Sequence, residues 1–141
     1  AINIVIKAGI PKIEAYQNST TYNDDVFEKT VGVKYAVGGF TLGYQWSEEE
    51  NGRATSNTEY QNDAYGITFS INDDLSIGYN NYKSTRKSTT DVELQASSVQ
   101  IAYSMGGLSI RLVDAEIDNG NYTTTATNQR DATTLSVALA F

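Results

Sequence analysis

The sequence predicts an all-β chain of antiparallel up-and-down strands forming a transmembrane β-barrel, and three observations carry that prediction. Period-two alternation recurs in seven segments. The links between them are by turns short and long. One face of every strand is aliphatic and aromatic, while the other is Gly, Ala, Ser, Thr and Gln. A soluble sheet would put its bulky residues inside and polar ones outside; an apolar face turned to lipid and a small, polar one turned to a lumen fit better.

The segments follow in order. Val31, Val33, Tyr35 and Val37 alternate with Gly32, Lys34 and Ala36, and Phe40, Leu42, Tyr44 and Trp46 with Thr41, Gly43 and Gln45. Tyr65, Ile67, Phe69 and Ile71 precede Leu75, Ile77 and Tyr79; Val99, Ile101, Tyr103 and Met105 precede Leu108, Ile110 and Leu112. Leu135, Val137, Leu139 and Phe141 close the series. Gly38-Gly39, Asn72-Asp73-Asp74 and Gly106-Gly107 read as hairpin turns. Polar stretches at 18–25, 47–63, 83–91 and 118–131 read as long loops. Short periplasmic turns and long extracellular loops belong to outer-membrane barrels, whereas a β-sandwich has no reason to alternate them.

The first residues decide the strand count. Reading Gly9-Ile10-Pro11 as a turn predicts nine strands, at 2–8, 12–18, 26–37, 40–48, 60–71, 75–83, 92–105, 108–117 and 131–141. Proline supports the turn, because inside a central strand it removes a ladder donor. Bacterial single-chain barrels have even counts, so nine strands imply that residues 1–141 are a single domain forming the C-terminal part of a larger barrel. Reading 2–17 as one bulged strand gives eight, the smallest closed barrel.

Composition narrows the function classes. Lys and Arg number 10 against 17 Asp and Glu, a formal charge of −7, which argues against a nucleic-acid footprint. With neither Cys nor His, thiol and imidazole nucleophiles, disulfides and the usual zinc sites are excluded. No apolar run approaches the roughly 18–20 residues of a transmembrane helix, and the start lacks a signal peptide's basic region and cleavage motif.

Aromatic residues fall at two levels. Tyr35, Phe40, Phe69, Tyr103 and Phe141 sit beside the short turns or at the terminus; Trp46, Tyr60, Tyr65 and Tyr82 sit nearer the long loops. Two girdles flanking an apolar band are a barrel signature. The final strand, with Leu135, Val137, Leu139 and Phe141 on one face, resembles the C-terminal assembly signal of Gram-negative outer-membrane proteins. The hairpins 31–44 and 101–110 look like those of a general diffusion porin, and the whole chain is similar to the C-terminal part of porins of the alphaproteobacterial type. That resemblance implies a barrel of about 16 strands, usually a homotrimer in the bacterial outer membrane, assembled by the barrel-assembly machinery and surrounded by lipid and lipopolysaccharide. It also implies passive transport of ions and small hydrophilic solutes through a water-filled channel, with no cofactor. In such porins an inward-folded loop in the first half narrows the pore; no segment here is assigned to it.

Candidate chemistry is sparse. Lys34, Gln45, Gln100 and Arg111 occupy the small-residue face and are expected to line the lumen, setting ion preference or stiffening the wall. Asp114 is aimed at lipid by strict alternation, unless a bulge flips it or it lies above the hydrocarbon or at a subunit contact. Glu48-Glu49-Glu50 reads as a solvated charge run in a loop. Lys83, Arg86 and Lys87 read as an extracellular basic cluster, either plainly solvated or able to meet lipopolysaccharide phosphates. Three classes follow: a passive channel, a small eight-stranded barrel that binds or adheres through its loops, and a barrel enzyme. The last is disfavoured because no histidine is present for a Ser–His–Asp arrangement.

Overall fold

The structure is a computed structural model that describes residues 3–9, 12–13, 26–50 and 58–140. It is one all-β sheet, in the order in which the chain runs. Strands β1 (Asn3–Gly9) and β2 (Lys12–Ile13) both lie on β3 (Val26–Val37). Then follow β4 (Phe40–Glu50), β5 (Glu59–Ser70), β6 (Leu75–Lys87), β7 (Val92–Met105), β8 (Leu108–Asp118) and β9 (Arg130–Leu139), each antiparallel to its predecessor. From β3 to β9 this is an up-and-down meander of seven strands.

The predicted boundaries from residue 26 onward agree with the structure to within a few residues, for a physical reason. Alternation specifies register, since a one-residue slip would turn each apolar set to the other face. Every ladder from β3 to β9 runs without a break: Val33 opposes Tyr44, Leu42 opposes Ile67, Ile77 opposes Ile101, and Leu112 opposes Leu135.

The expected turn at Gly9-Ile10-Pro11 is corrected. Asn3 to Gly9 pair with Ala36 to Thr30, and Lys12 and Ile13 continue in the same register opposite Phe27 and Val26. A hairpin would have returned the chain along the far side of β1. The two pieces instead lie along a single edge of β3, and Ile10 and Pro11 themselves lie outside the described residues. Residues 14–18 of the expected second strand lie outside the described residues.

Tight turns close one end of the sheet. Gly38-Gly39 joins Val37 to Phe40 with Gly38 at φ +57°, and Gly106-Gly107 joins Met105 to Leu108 with φ +58° and +127°. In the third turn Asn72 Oδ1 accepts hydrogen bonds from the Asp74 and Leu75 amides at 2.9 and 2.8 Å. Each turn is tied to the next strand, with Ser70, Ser104 and Ala140 amides donating to the carbonyls of Gly39, Asp74 and Gly107 at 2.8 Å.

At the other end the strands run further than the alternation suggested. β6 continues to Lys87, so the expected loop 83–91 shrinks to the turn Ser88–Asp91. Glu48-Glu49-Glu50 belongs to β4 rather than a loop. Strands of 10 to 14 residues from β3 to β9 meet the roughly 9–11 needed to cross a bilayer at a tilt.

No apolar side chain is buried among the described residues; only Asn81 and Ser84 are buried polar residues. The sheet is one layer, so the sandwich alternative is not what forms. It is also open, because β1 and β9 are not paired among the described residues.

Candidate functional site

Cross-strand partners share a face, so the register sorts each side chain of β3–β9 onto one of two surfaces. The sheet curls around a cavity of about 1210 Å³ whose lining comes from β3 through β8. Its concave wall is the small-residue face, with Thr30, Gly43, Ala64, Thr68, Asn80 and Ser98 among the lining residues.

Glycine on this wall makes room for amides. A Cβ at Gly66 would lie 2.6 Å from Asn80 Oδ1, and one at Gly78 would lie 3.0 Å from Gln100 Nε2 and 3.4 Å from Thr68 Oγ1. The Asn80 and Gln100 side chains thus reach over these glycines towards the neighbouring strand. Tyr82 donates to Asn62 at 2.8 Å, and Asn62 donates to Ser47 at 3.2 Å, extending this hydrogen-bonded lining.

All four residues expected to face a lumen lie on the concave wall. Lys34 and Gln45 line the cavity on β3 and β4. On β7 and β8 the Arg111 guanidinium donates to Gln100 Oε1 at 2.9 Å. That bond holds the guanidinium over the wall without neutralising it.

The convex surface carries Tyr35, Phe40, Trp46, Phe69 and Tyr103 together with the aliphatic residues. Phe40 and Phe69 oppose each other beside the short turns and stack with centroids 4.4 Å apart. At the opposite border Tyr44 donates to Asp63 at 2.5 Å, and Tyr65 meets Tyr79 at 6.3 Å. From Phe40 to Trp46 this apolar band spans about 20 Å along the strand. Above it the same face turns polar: Lys29 bridges Glu48 at 2.9 Å and Lys83 bridges Glu93 at 3.1 Å.

Asp114 belongs to that border. It lies on the convex side opposite Val99 and Thr133 in unbroken ladders, so no bulge flips it, and it accepts a hydrogen bond from Thr133 at 2.7 Å. Leu135, Val137 and Leu139 are 66%, 59% and 66% exposed on the convex face of β9. Phe141 lies outside the described residues.

Two expectations are corrected by the register. Tyr60 and Tyr82, grouped with the loop-side girdle, point to the concave wall instead, because Tyr60 opposes Arg86 and Tyr82 opposes Ala96. The basic cluster is divided: Lys83 and Lys87 are convex and paired with Glu93 and Asp91, while Arg86 is concave. At the turn beyond β6, the Lys87 ammonium and then the Ser88 amide hold the Asp91 carboxyl below its ordinary range.

No protein-family model, curated protein or solved structure matches this chain. Its function is therefore read from its own two surfaces.

One element escaped the sequence reading altogether. The connection from β8 to β9 folds back onto the concave side through the short helical turn Gly120–Tyr122. Asn119 Nδ2 anchors it by donating to the Glu93 carbonyl at 2.9 Å. Tyr122 then reaches β5 and β6: its hydroxyl lies 2.6 Å from Ser84 Oγ, and its ring lies 5.2 Å from that of Tyr60. The Arg86 guanidinium stands 5.4 Å from the Tyr122 ring centroid and donates to the Tyr122 carbonyl at 3.3 Å. Beneath this contact Ser84 is fully buried. Tyr122 has φ +54°, a backbone state of roughly 1–3 kcal/mol cost for a bulky residue, which persists only when its surroundings hold it. A polar stretch between two strands carries no periodic signal, which is why the sequence did not announce this contact.

Proposed function

We propose that this chain forms wall of a bacterial outer-membrane barrel, whose concave face lines a water-filled channel for passive diffusion of small hydrophilic solutes. The observation that supports this reading best is the exposed convex band. Val99, Met105, Leu135 and Leu139 are each more than half exposed, and among the described residues no apolar side chain is buried to compensate. In water so extensive an apolar surface would drive association; in hydrocarbon it is the face that belongs there. The wall of small residues, amides and hydroxyls is what a hydrated lumen requires.

The open sheet bears on assembly. Each unpaired backbone group in hydrocarbon costs several kcal/mol, so edges at β1 and β9 need further strands. This reading supplies them as the rest of a porin barrel of about 16 strands. A homotrimer, lipopolysaccharide around the rim and delivery by the barrel-assembly machinery belong to the same proposal. Catalysis does not: the chain has no His or Cys.

A second reading has its own support. Because β1 and β2 share one register on β3, the described strands occupy eight places across the sheet, which is compatible with the count of the smallest outer-membrane barrels. Such a barrel would serve binding or adhesion through its loops. Reconstitution of the intact protein into liposomes separates the two. Swelling in small sugars and stepwise conductance are expected of the channel. A folded, heat-modifiable barrel that conducts nothing would displace it in favour of adhesion.

A further inference from the structure

Charge is divided unequally between the two faces. On the concave wall of β3–β9 stand Lys34, Arg86, Arg111 and Arg130, against Glu28 and Glu49 alone. The convex side, above its apolar band, carries Glu48, Glu50, Glu59, Asp63, Asp114 and Asp131 among its acids, against Lys29, Lys83 and Lys87. A chain of net charge −7 thus has a wall on which cations outnumber carboxylates.

Position along the strands strengthens the contrast. Glu28 and Glu49 oppose each other at the loop end of β3 and β4. Lys34 lies six residues from Glu28 on the same strand, about 20 Å away, well beyond the roughly 8 Å over which charge is felt at physiological ionic strength. Arg111 lies towards the short turns, opposite Ala102 and Ser136, and its partner Gln100 is neutral. Arg130 opposes Ile117. Below the loop-end pair, the register sets cations and no carboxylate on the wall from β3 to β9; Glu116 borders the cavity beside Ile117 but belongs by register to the convex face.

We propose that the solutes admitted by this wall are preferentially anions: small molecules bearing carboxylate, phosphate or sulfate groups, and chloride among inorganic ions. This inference rests on the channel reading and names its substrate class. Fixed cations on a wall raise the local concentration of anions and repel cations by ordinary electrostatics. Lys34 and Arg111, set at different depths on strands well apart in the sheet, act along the path rather than at one point.

The test is the reversal potential of the full-length protein in a planar bilayer under a potassium chloride gradient. Wild type is expected to pass chloride over potassium. Lys34→Glu and Arg111→Glu should each lower the chloride-to-potassium permeability ratio, and the pair together should bring it below unity. Lys83→Glu makes the same charge change on the convex face and should leave the ratio alone. Heat-modifiable mobility checks that each variant folds, and Lys34→Gln and Arg111→Gln replace any that do not, with smaller shifts of the same sign. A cation-selective wild type would overturn the inference while leaving the channel intact, as would a Lys83→Glu shift as large as that of Lys34→Glu. A folded protein without conductance would overturn the channel reading itself.

Discussion

The Tyr122 hydroxyl meets Ser84 Oγ at 2.6 Å across 38 residues of chain. Through that contact the β8–β9 connection is held against the concave wall instead of standing free in solvent. Tyr60 and Arg86 complete the seat.

Removing the ring should release the connection. Because the chain has no cysteine, Ser84→Cys introduces a unique thiol at a fully buried position. Its labelling by a water-soluble maleimide is expected to accelerate about tenfold when Tyr122→Ala is added, the equivalent of about 1.4 kcal/mol of lost docking. Equal rates in the two backgrounds would show that Tyr122 does not cover the site.

The same seat predicts a response to alkali. Burial, the larger influence, raises the Tyr122 pKa above its ordinary 10.0, although the Ser84 hydrogen bond opposes the shift. A group whose folded pKa is raised stabilises the docked state fully below the unfolded pKa, and that contribution disappears as pH rises through the folded one. The connection should therefore stay docked at neutral pH and loosen above about pH 10. Absorbance titration at 295 nm should show a late-ionising tyrosine that Tyr122→Phe removes. A titration curve unchanged by that substitution would refute the assignment.

Arginine substitutions should separate the faces. Leu42 and Ile101 lie within the convex band, each 43% exposed, while Thr41 and Ala102 are their concave neighbours. Leu42→Arg and Ile101→Arg are expected to destabilise the folded protein by about 2–4 kcal/mol if they sit near mid-bilayer. Thr41→Arg and Ala102→Arg should cost much less. Urea unfolding in lipid vesicles measures both, and equal losses on the two faces would contradict a lipid-facing convex surface.

Turn glycines should differ in the same measurement. At Gly38 an added Cβ meets nothing within 4 Å, so Gly38→Ala carries only the left-handed backbone penalty, about 1 kcal/mol. Gly107 combines φ +127° with a Cβ position that would collide with the Ala140 carbonyl oxygen, which is backbone and cannot swing aside. Gly107→Ala should cost more than Gly38→Ala, by about 1 kcal/mol or above. Comparable losses would mean that β9 does not pack against this turn as described.

Much of the fold was legible because a strand reports its register through period-two alternation. Val31 to Val37, Phe40 to Trp46, Val99 to Met105 and Leu108 to Leu112 each name their own face, and with it the placement of Lys34, Gln45, Gln100 and Arg111. Legibility failed where alternation ended. Lys83, Arg86 and Lys87 read as one basic cluster only while taken for a loop; in a strand, neighbours of opposite parity are parted by the sheet. Tyr60 and Tyr82 were misplaced similarly, because nearness to a loop in sequence does not say which side of the sheet a ring takes.

By itself, then, the amino-acid order determined an antiparallel meander with an aliphatic face and a face of small polar residues, since alternation and turn chemistry are local properties. Tertiary structure decided what depends on contacts distant in sequence. It placed Lys12 and Ile13 on β3 beyond β1, where a hairpin had been expected, because pairing with Phe27 and Val26 continues a ladder already formed. It divided the charges of β3–β9 between a cation-rich concave face and an acid-rich convex one. And it brought Tyr122 to Ser84 and Arg86, a docking that no periodicity encodes, because it depends on the shape of a wall built by other strands.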